Sequence, residues 1–247
     1  MLFFVKSGGN FNKMQQVSLK SILLEYQEEF VSVVPLNSLR DKLLLLDFTN
    51  SNNEITGKIL ADTQAFTAYI NRKLIEAGTR YGIGGYGEHR TIYSQSRVFD
   101  GDSKDEEPRR LHLGTDIWGK PNTPVMSPLN GIVHSFGFNN RFGDYGVTIV
   151  LSHVLNGLSF YTLYGHLSLN SIKNLSEGER INKGDVFAEF GIPAENGHWP
   201  SHLHFQIISD ISDWKGDYPG VCKFSEKEKW LSNSPDPDLI LQMNQYI

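Results

Sequence analysis

The chain has 247 residues, 39% hydrophobic and 21% charged, and its 23 Lys and Arg against 28 Asp and Glu leave a formal net charge of −5. That length allows one sizeable domain or two modest ones with a real core. The acidic balance argues against nucleic acid as a partner, which needs a basic face, and the lone Cys222 excludes both an intramolecular disulfide and a cysteine-rich zinc site.

In chain order, Met1–Lys6 lacks a basic start and a long apolar run, so no signal peptide is expected and the sequence points to a cytoplasmic protein, with export by an unrecognised route as the alternative. Leu19, Ile22, Leu23, Tyr26 and Phe30 recur at steps of three and four, which predicts a helix with Ser18 as N-cap and Pro35 as its stop. Ile59, Phe66, Ile70, Leu74 and Ala77 predict a second helix ending at Gly78. Leu43–Phe48 is too short to assign to helix or strand, and too short to span a membrane. Residues 81–87 are glycine-rich, but no strand and helix flank them as a phosphate cradle would require. Residues 100–110 are charged and read as an exposed loop.

From Leu111 onward short β runs alternate with turns: 131–136, 147–152, 159–164, 186–190 and 202–208, punctuated by Asn130-Gly131, Gly143-Asp144, Asn156-Gly157 and Lys183-Gly184-Asp185. The fold expected is α+β: a helical N-terminal region at 1–80, a glycine-rich and charged connector at 81–110, and a mainly antiparallel β-sheet or barrel-sandwich-like catalytic domain at 111–247.

Three pieces carry chemistry: His112-Leu113-Gly114-Thr115-Asp116, Tyr164-Gly165-His166 and His202-Leu203-His204. Imidazole nitrogen and carboxylate oxygen are zinc ligands, and a catalytic zinc site uses three of them. In a strand His202 and His204 project to one face, with Leu203, Phe205 and Ile207 on the other. Gly114 and Thr115 disfavour a helix between His112 and Asp116, whereas a strand end turning back would bring the two together. Alternation puts Tyr164 and His166 on one face. Spacing alone leaves open which histidines bind metal. His134 and His153 read as strand-face or surface residues, and Pro200 argues against a helical zinc motif at His198 and His202. The loop from Asn196 to Pro200 reads as the rim of a cleft.

The ordered set HxxxD, GH after a β run, then HxH followed by an apolar strand resembles the lysostaphin-type zinc endopeptidases over residues 110–209. Thr123–Val133, Gly178–Asp185 and Ser201–Phe205 add to the likeness. The resemblance implies one Zn2+ per chain on His112, Asp116 and His204, with His166 and His202 as unligated catalytic histidines. It implies hydrolysis of peptide bonds in peptidoglycan-derived or other short peptides. A tyrosine upstream of the first ligand, which some members place near the oxyanion, is missing between 106 and 111, leaving Tyr86 and Tyr93 as distant candidates. Glu177, Glu179 and His89 are expected at the surface. Two other readings stand beside this one: a non-enzymatic binding or regulatory domain, and a phosphocarrier-like histidine protein. The second is disfavoured because Asp116 beside His112 would repel a phosphoryl group.

Overall fold

The computed structural model describes residues 18–100, 103 and 105–247. Met1–Lys6, the segment read above for a signal peptide, lies outside them. Among the described residues no helix is long and apolar enough to cross a membrane.

Helix α1 (Leu19–Glu25) starts where Ser18 Oγ accepts the Ser21 N–H at 3.1 Å. It is shorter than its apolar stripe, which a 3-10 turn at Gln27–Glu29 continues. The ambiguous Leu43–Phe48 run supplies strand β1 (Leu43–Leu45). The second predicted helix is broken in two. Ile59 lies in α2 (Gly57–Leu60), and α3 (Thr63–Ala77) begins afresh because Asp62 Oδ1 caps the N–H groups of Gln64 and Ala65. Gly78 closes α3 in the left-handed conformation.

Ten of the remaining strands continue in chain order as β2 (Tyr81–Gly84), β3 (Arg109–His112), β4 (Thr115–Trp118), β5 (Pro124–Met126), β6 (Gly131–Asn139), β7 (Gly146–Leu155), β8 (Leu158–Leu167), β9 (Arg180–Ile181), β10 (Val186–Glu189) and β11 (His202–Ile208). Strand β12 (Val221–Lys223) and helices α4 (Lys227–Asn233) and α5 (Asp238–Leu241) complete the chain. One open sheet runs in the order β1-β2-β4-β11-β8-β7-β6-β9, and only β1 and β2 are parallel. The small pairs β5–β10 and β3–β12 flank it.

The local logic is plain in the β7–β8 hairpin. Asn156 (φ 48°) and Gly157 (φ 78°) both take the left-handed conformation that a two-residue hairpin turn requires. Strand β11 is buried on both faces. Leu203, Phe205 and Ile207 enter the main core with Ile149, Leu151 and Tyr164, which leaves His202, His204 and Gln206 for the other face. Leu19, Leu23, Val33, Val34 and Leu43 join that same core, so α1 and β1 pack directly onto the β sheet. Helix α3 packs through Phe66 and Ile70 against Trp118 and Trp199, which back the site.

Candidate metal centre

Strand β3 ends at His112, the chain reverses at Gly114, and β4 carries Asp116 back beside it. Pairing of β4 with β11 sets His204 directly opposite Asp116. The reversal requires glycine. A Cβ on Gly114 would come within 2.5 Å of the His204 ring and 2.8 Å of Phe205 O.

The three ligand atoms form a nearly equilateral triangle. His112 Nε2 lies 2.9 Å from His204 Nδ1 and 3.3 Å from Asp116 Oδ1, and His204 Nδ1 lies 3.1 Å from Asp116 Oδ1. A tetrahedral ion with bonds of about 2.0–2.1 Å needs ligand atoms about 3.3–3.4 Å apart, so the residues fit zinc closely.

The protons make the same point. His112 Nδ1 donates to Gly85 O at 2.9 Å, so its Nε2 is a bare lone pair. Gln206 donates its amide hydrogens to Pro219 O and Ser234 Oγ, which turns its Oε1 toward His204. His204 Nε2 donates to that oxygen at 3.0 Å, so Nδ1 is bare as well. Two lone pairs and a carboxylate oxygen therefore converge in a buried space with no proton among them. Such a cluster calls for a cation.

His166 and His202 stand beside the triangle with ring centroids 4.1 Å apart. His166 Nδ1 donates to Asn196 O at 2.8 Å, and His202 Nδ1 to Pro200 O at 2.8 Å. Each therefore keeps a free Nε2 lone pair. The Asn196–Pro200 loop, expected at the rim, is what fixes both tautomers. The placing of Tyr164 and His166 on one face is corrected here. A β-bulge between β7 and β8 and a positive φ of 62° at His166 turn its side chain to the site, while Tyr164 stays in the core. Gly165 allows this, because a Cβ there would meet the Tyr145 ring at 2.6 Å.

Burial dominates the electrostatics. It lowers the pKa of His112 to about 3, with Arg90 adding to the effect, and that of His202 to about 4. His166 is held well below its usual range by burial and then by His202. Burial would raise the Asp116 carboxyl, but His112 and the Arg90 guanidinium outweigh it and hold it well below the carboxylate range.

Arg90 was missed in the sequence. It is 1% exposed, donates to Asp116 Oδ2 at 2.5 Å and to Glu88 Oε2 at 2.6 Å, and so anchors the carboxylate oxygen that does not face the two histidines. The glycine-rich segment thus reaches the site through Arg90, while His89 is exposed against Phe224. The tyrosine question also resolves differently. Tyr86 hydroxyl donates to Ser234 O, away from the centre, and Tyr93 hydroxyl accepts from Arg90 at 3.1 Å. Tyr145 instead approaches the ring of one ligand, its hydroxyl 3.4 Å from His204 Nε2 and its ring 5.5 Å from that of His166. It sits downstream of the first ligands, in the Gly143-Asp144 turn, and no spacing rule would have selected it.

The remaining residues behave as expected or more structurally. His153 is buried, joined to Asn130 O and Thr162 Oγ1, and His134 packs on Tyr161. His198 stacks on Phe142. Glu177 pairs with Lys215 on the surface, and Glu179 is exposed. Cys222 is buried and its thiol is pushed up to about 12 by burial, which removes it as a nucleophile.

The sequence profile of peptidase family M23 matches residues 110–215. An L-Ala–D-Glu endopeptidase of Bacillus subtilis (strain 168) is 32% identical over 162 residues, covering 60% of this chain and 47% of that protein. The chain thus spans about half the length of the curated relative it matches. Among solved structures, a zinc-containing peptidase from Vibrio cholerae is 27% identical over 40% of this chain and 27% of that one, with a TM-score of 0.32. The catalytic domain of the antimicrobial peptidase lysostaphin from Staphylococcus simulans is 20% identical over 66% of this chain and 96% of that one, with a TM-score of 0.37. Residues 110–215, which hold the four histidines and the aspartate of the centre, thus match peptidase family M23, the lysostaphin-type family.

Proposed function

We propose that this chain is a zinc-dependent peptidase that hydrolyses peptide bonds in short peptides, peptidoglycan-derived fragments among them. One zinc ion would be held by His112 Nε2, His204 Nδ1 and Asp116 Oδ1. The observation that carries this reading is the convergence of three buried acceptor atoms without a proton between them. Zinc, when bound, supplies Lewis-acid chemistry: it polarises a carbonyl and makes water acidic enough to react near neutral pH.

The protein's own groups do the rest. His166 and His202 are neutral and present Nε2 lone pairs, so either ring can take the proton of an attacking water and return it to the leaving amine. Their close approach means that the pair holds one proton at a time, since two adjacent imidazolium rings would repel. Tyr145 is the candidate donor to the oxyanion that develops on the scissile carbonyl. We assign the chemistry to residues 111–247 and a walling role to 81–110, because Arg90, Tyr93 and Phe99 line the cavity over the centre.

The test is zinc stoichiometry on untagged protein, followed by two variants. About one zinc per chain is expected, lost in His204→Ala and kept in His166→Ala, with turnover abolished in both. Protein that binds no zinc after reconstitution would refute the reading. Full turnover by His166→Ala would remove that histidine from the mechanism.

A further inference from the structure

Strand register ties a further side chain to the centre. The pairing of β4 with β11 that sets Asp116 opposite His204 also sets Trp118 opposite His202, two residues along and on the same face. The indole lies flat on the imidazole, with ring centroids 3.9 Å apart and planes inclined by 14°. Trp118 is 1% exposed and lines the cavity beside the histidines.

His202 needs such a neighbour. Its Nδ1–H is fixed on Pro200 O at 2.8 Å, which settles the tautomer. A single hydrogen bond leaves the ring free to tilt about the N–H···O direction, and that tilt swings Nε2 away from its target. A flat ring in van der Waals contact blocks the tilt. The other ring close to His202, that of His166, is inclined to it by 31°.

Trp118 is itself held by side chains outside residues 110–215. Phe48 and Phe66 pack on the indole with centroids 5.2 and 6.0 Å away. Phe66 belongs to α3 and also meets Trp199, at 6.4 Å. The Trp118 indole N–H has no acceptor among the described residues, a cost that an apolar side chain in this place would not carry. The broad flat face of the ring, rather than its polar atom, is what this position uses.

We propose that Trp118 is a positioning residue: its indole face, backed by Phe48 and Phe66, holds the plane of the His202 ring so that Nε2 stays aimed into the centre. The helical N-terminal region thereby contributes to turnover without touching substrate. The inference rests on the peptidase reading, in which His202 carries a proton, and adds to it the residue that orients that histidine.

The experiment compares the zinc-loaded full chain with Trp118→Leu and Trp118→Phe on soluble muropeptides cut from peptidoglycan sacculi, read by mass spectrometry. Leucine fills the place without a flat face, and phenylalanine keeps one. Trp118→Leu should lose about 100-fold in kcat with KM within about 2-fold, as when a catalytic group shifts by about 1 Å and substrate binding is unchanged. Trp118→Phe should bring kcat back to within about 5-fold of the parent. In a His202→Ala background Trp118→Leu should cost nothing further, because a residue that acts through His202 has nothing left to position. The carbon-bound ring protons of His202 read the stack without turnover. Their NMR signals should lie upfield under the indole ring current in the parent, remain upfield in Trp118→Phe and lose that shift in Trp118→Leu. Parent-like zinc content certifies that Asp116 and His204 are undisturbed in each variant, and Trp118→Met replaces Trp118→Leu if the latter does not fold. Parent-like kcat in Trp118→Leu, equal losses with and without His202, or no upfield shift in the parent would overturn the proposal and leave the peptidase reading intact. A zinc-loaded parent that cleaves no muropeptide would bring down both.

Discussion

Replacing Gln206 with Leu tests the proton arrangement that leaves His204 Nδ1 free. Gln206 Oε1 accepts from His204 Nε2 at 3.0 Å, and its amide nitrogen holds Pro219 O and Ser234 Oγ at 3.2 and 2.9 Å. The residue is fully buried. Leucine removes the acceptor, so the ring no longer favours the tautomer with Nδ1 bare. A hydrogen bond to an imidazole that gains positive charge on metal binding contributes about 1.5–3 kcal/mol, or about 10- to 150-fold in affinity. That range overlaps the 10- to 100-fold typical of losing a histidine's supporting partner. The orphaned Pro219 and Ser234 groups cost about 2 kcal/mol more of folding stability, which for a chain of this size lowers the melting temperature by about 4–8 °C. Gln206→Glu is the control, because it retains an acceptor for His204 while giving up the amide donors. Zinc competition against a chromophoric chelator reads the affinity, and calorimetry reads stability. The expected pattern is weakened zinc binding in Leu and near-normal binding in Glu, with both less stable. Parent-like affinity in Gln206→Leu would refute the tautomer reasoning.

Arg90→Met leaves the buried Asp116 and the half-buried Glu88 without their cation, so urea unfolding of the metal-free protein should show a loss of about 3–5 kcal/mol; a loss below about 1 kcal/mol would mean that the Arg90–Asp116 pair is not buried in solution. Gly114→Ala forces the His204 ring aside, so the protein should fold with an unchanged circular dichroism spectrum yet bind zinc at least about tenfold more weakly. His153 has its pKa lowered from 6.5 to about 4 by burial, so the unfolded chain takes up the proton first as pH falls. Its contribution to stability is complete above pH 6.5 and lost toward pH 4, with about 2 kcal/mol gone by pH 5. His153→Gln should flatten the decline in melting temperature between pH 7 and 5 relative to the parent, and an equal decline in both would assign it to other groups.

The sequence by itself determined those features whose cause is local. Period-two alternation located β6, β7, β8, β10 and β11 to within a few residues at each end. It also put His202 and His204 on one face, because successive side chains in a strand must alternate. Ser18 and Gly78 marked their helix ends because capping needs only the neighbouring N–H and C=O groups. The order of HxxxD, GH and HxH named the five residues that the fold gathers at one point. Tertiary structure alone decided the rest. The bulge that turns His166 inward arises from the register between β7 and β8, and a pairing register depends on both strands at once. Arg90 lies 26 positions before Asp116 and Tyr145 59 before His204, and only closure of the sheet brings each of them within bonding distance. Which imidazole nitrogens are bare was likewise beyond the sequence. A ring's tautomer is set by the acceptor that faces it, and here those acceptors are Gly85 O, Asn196 O, Pro200 O and Gln206 Oε1, each placed by packing.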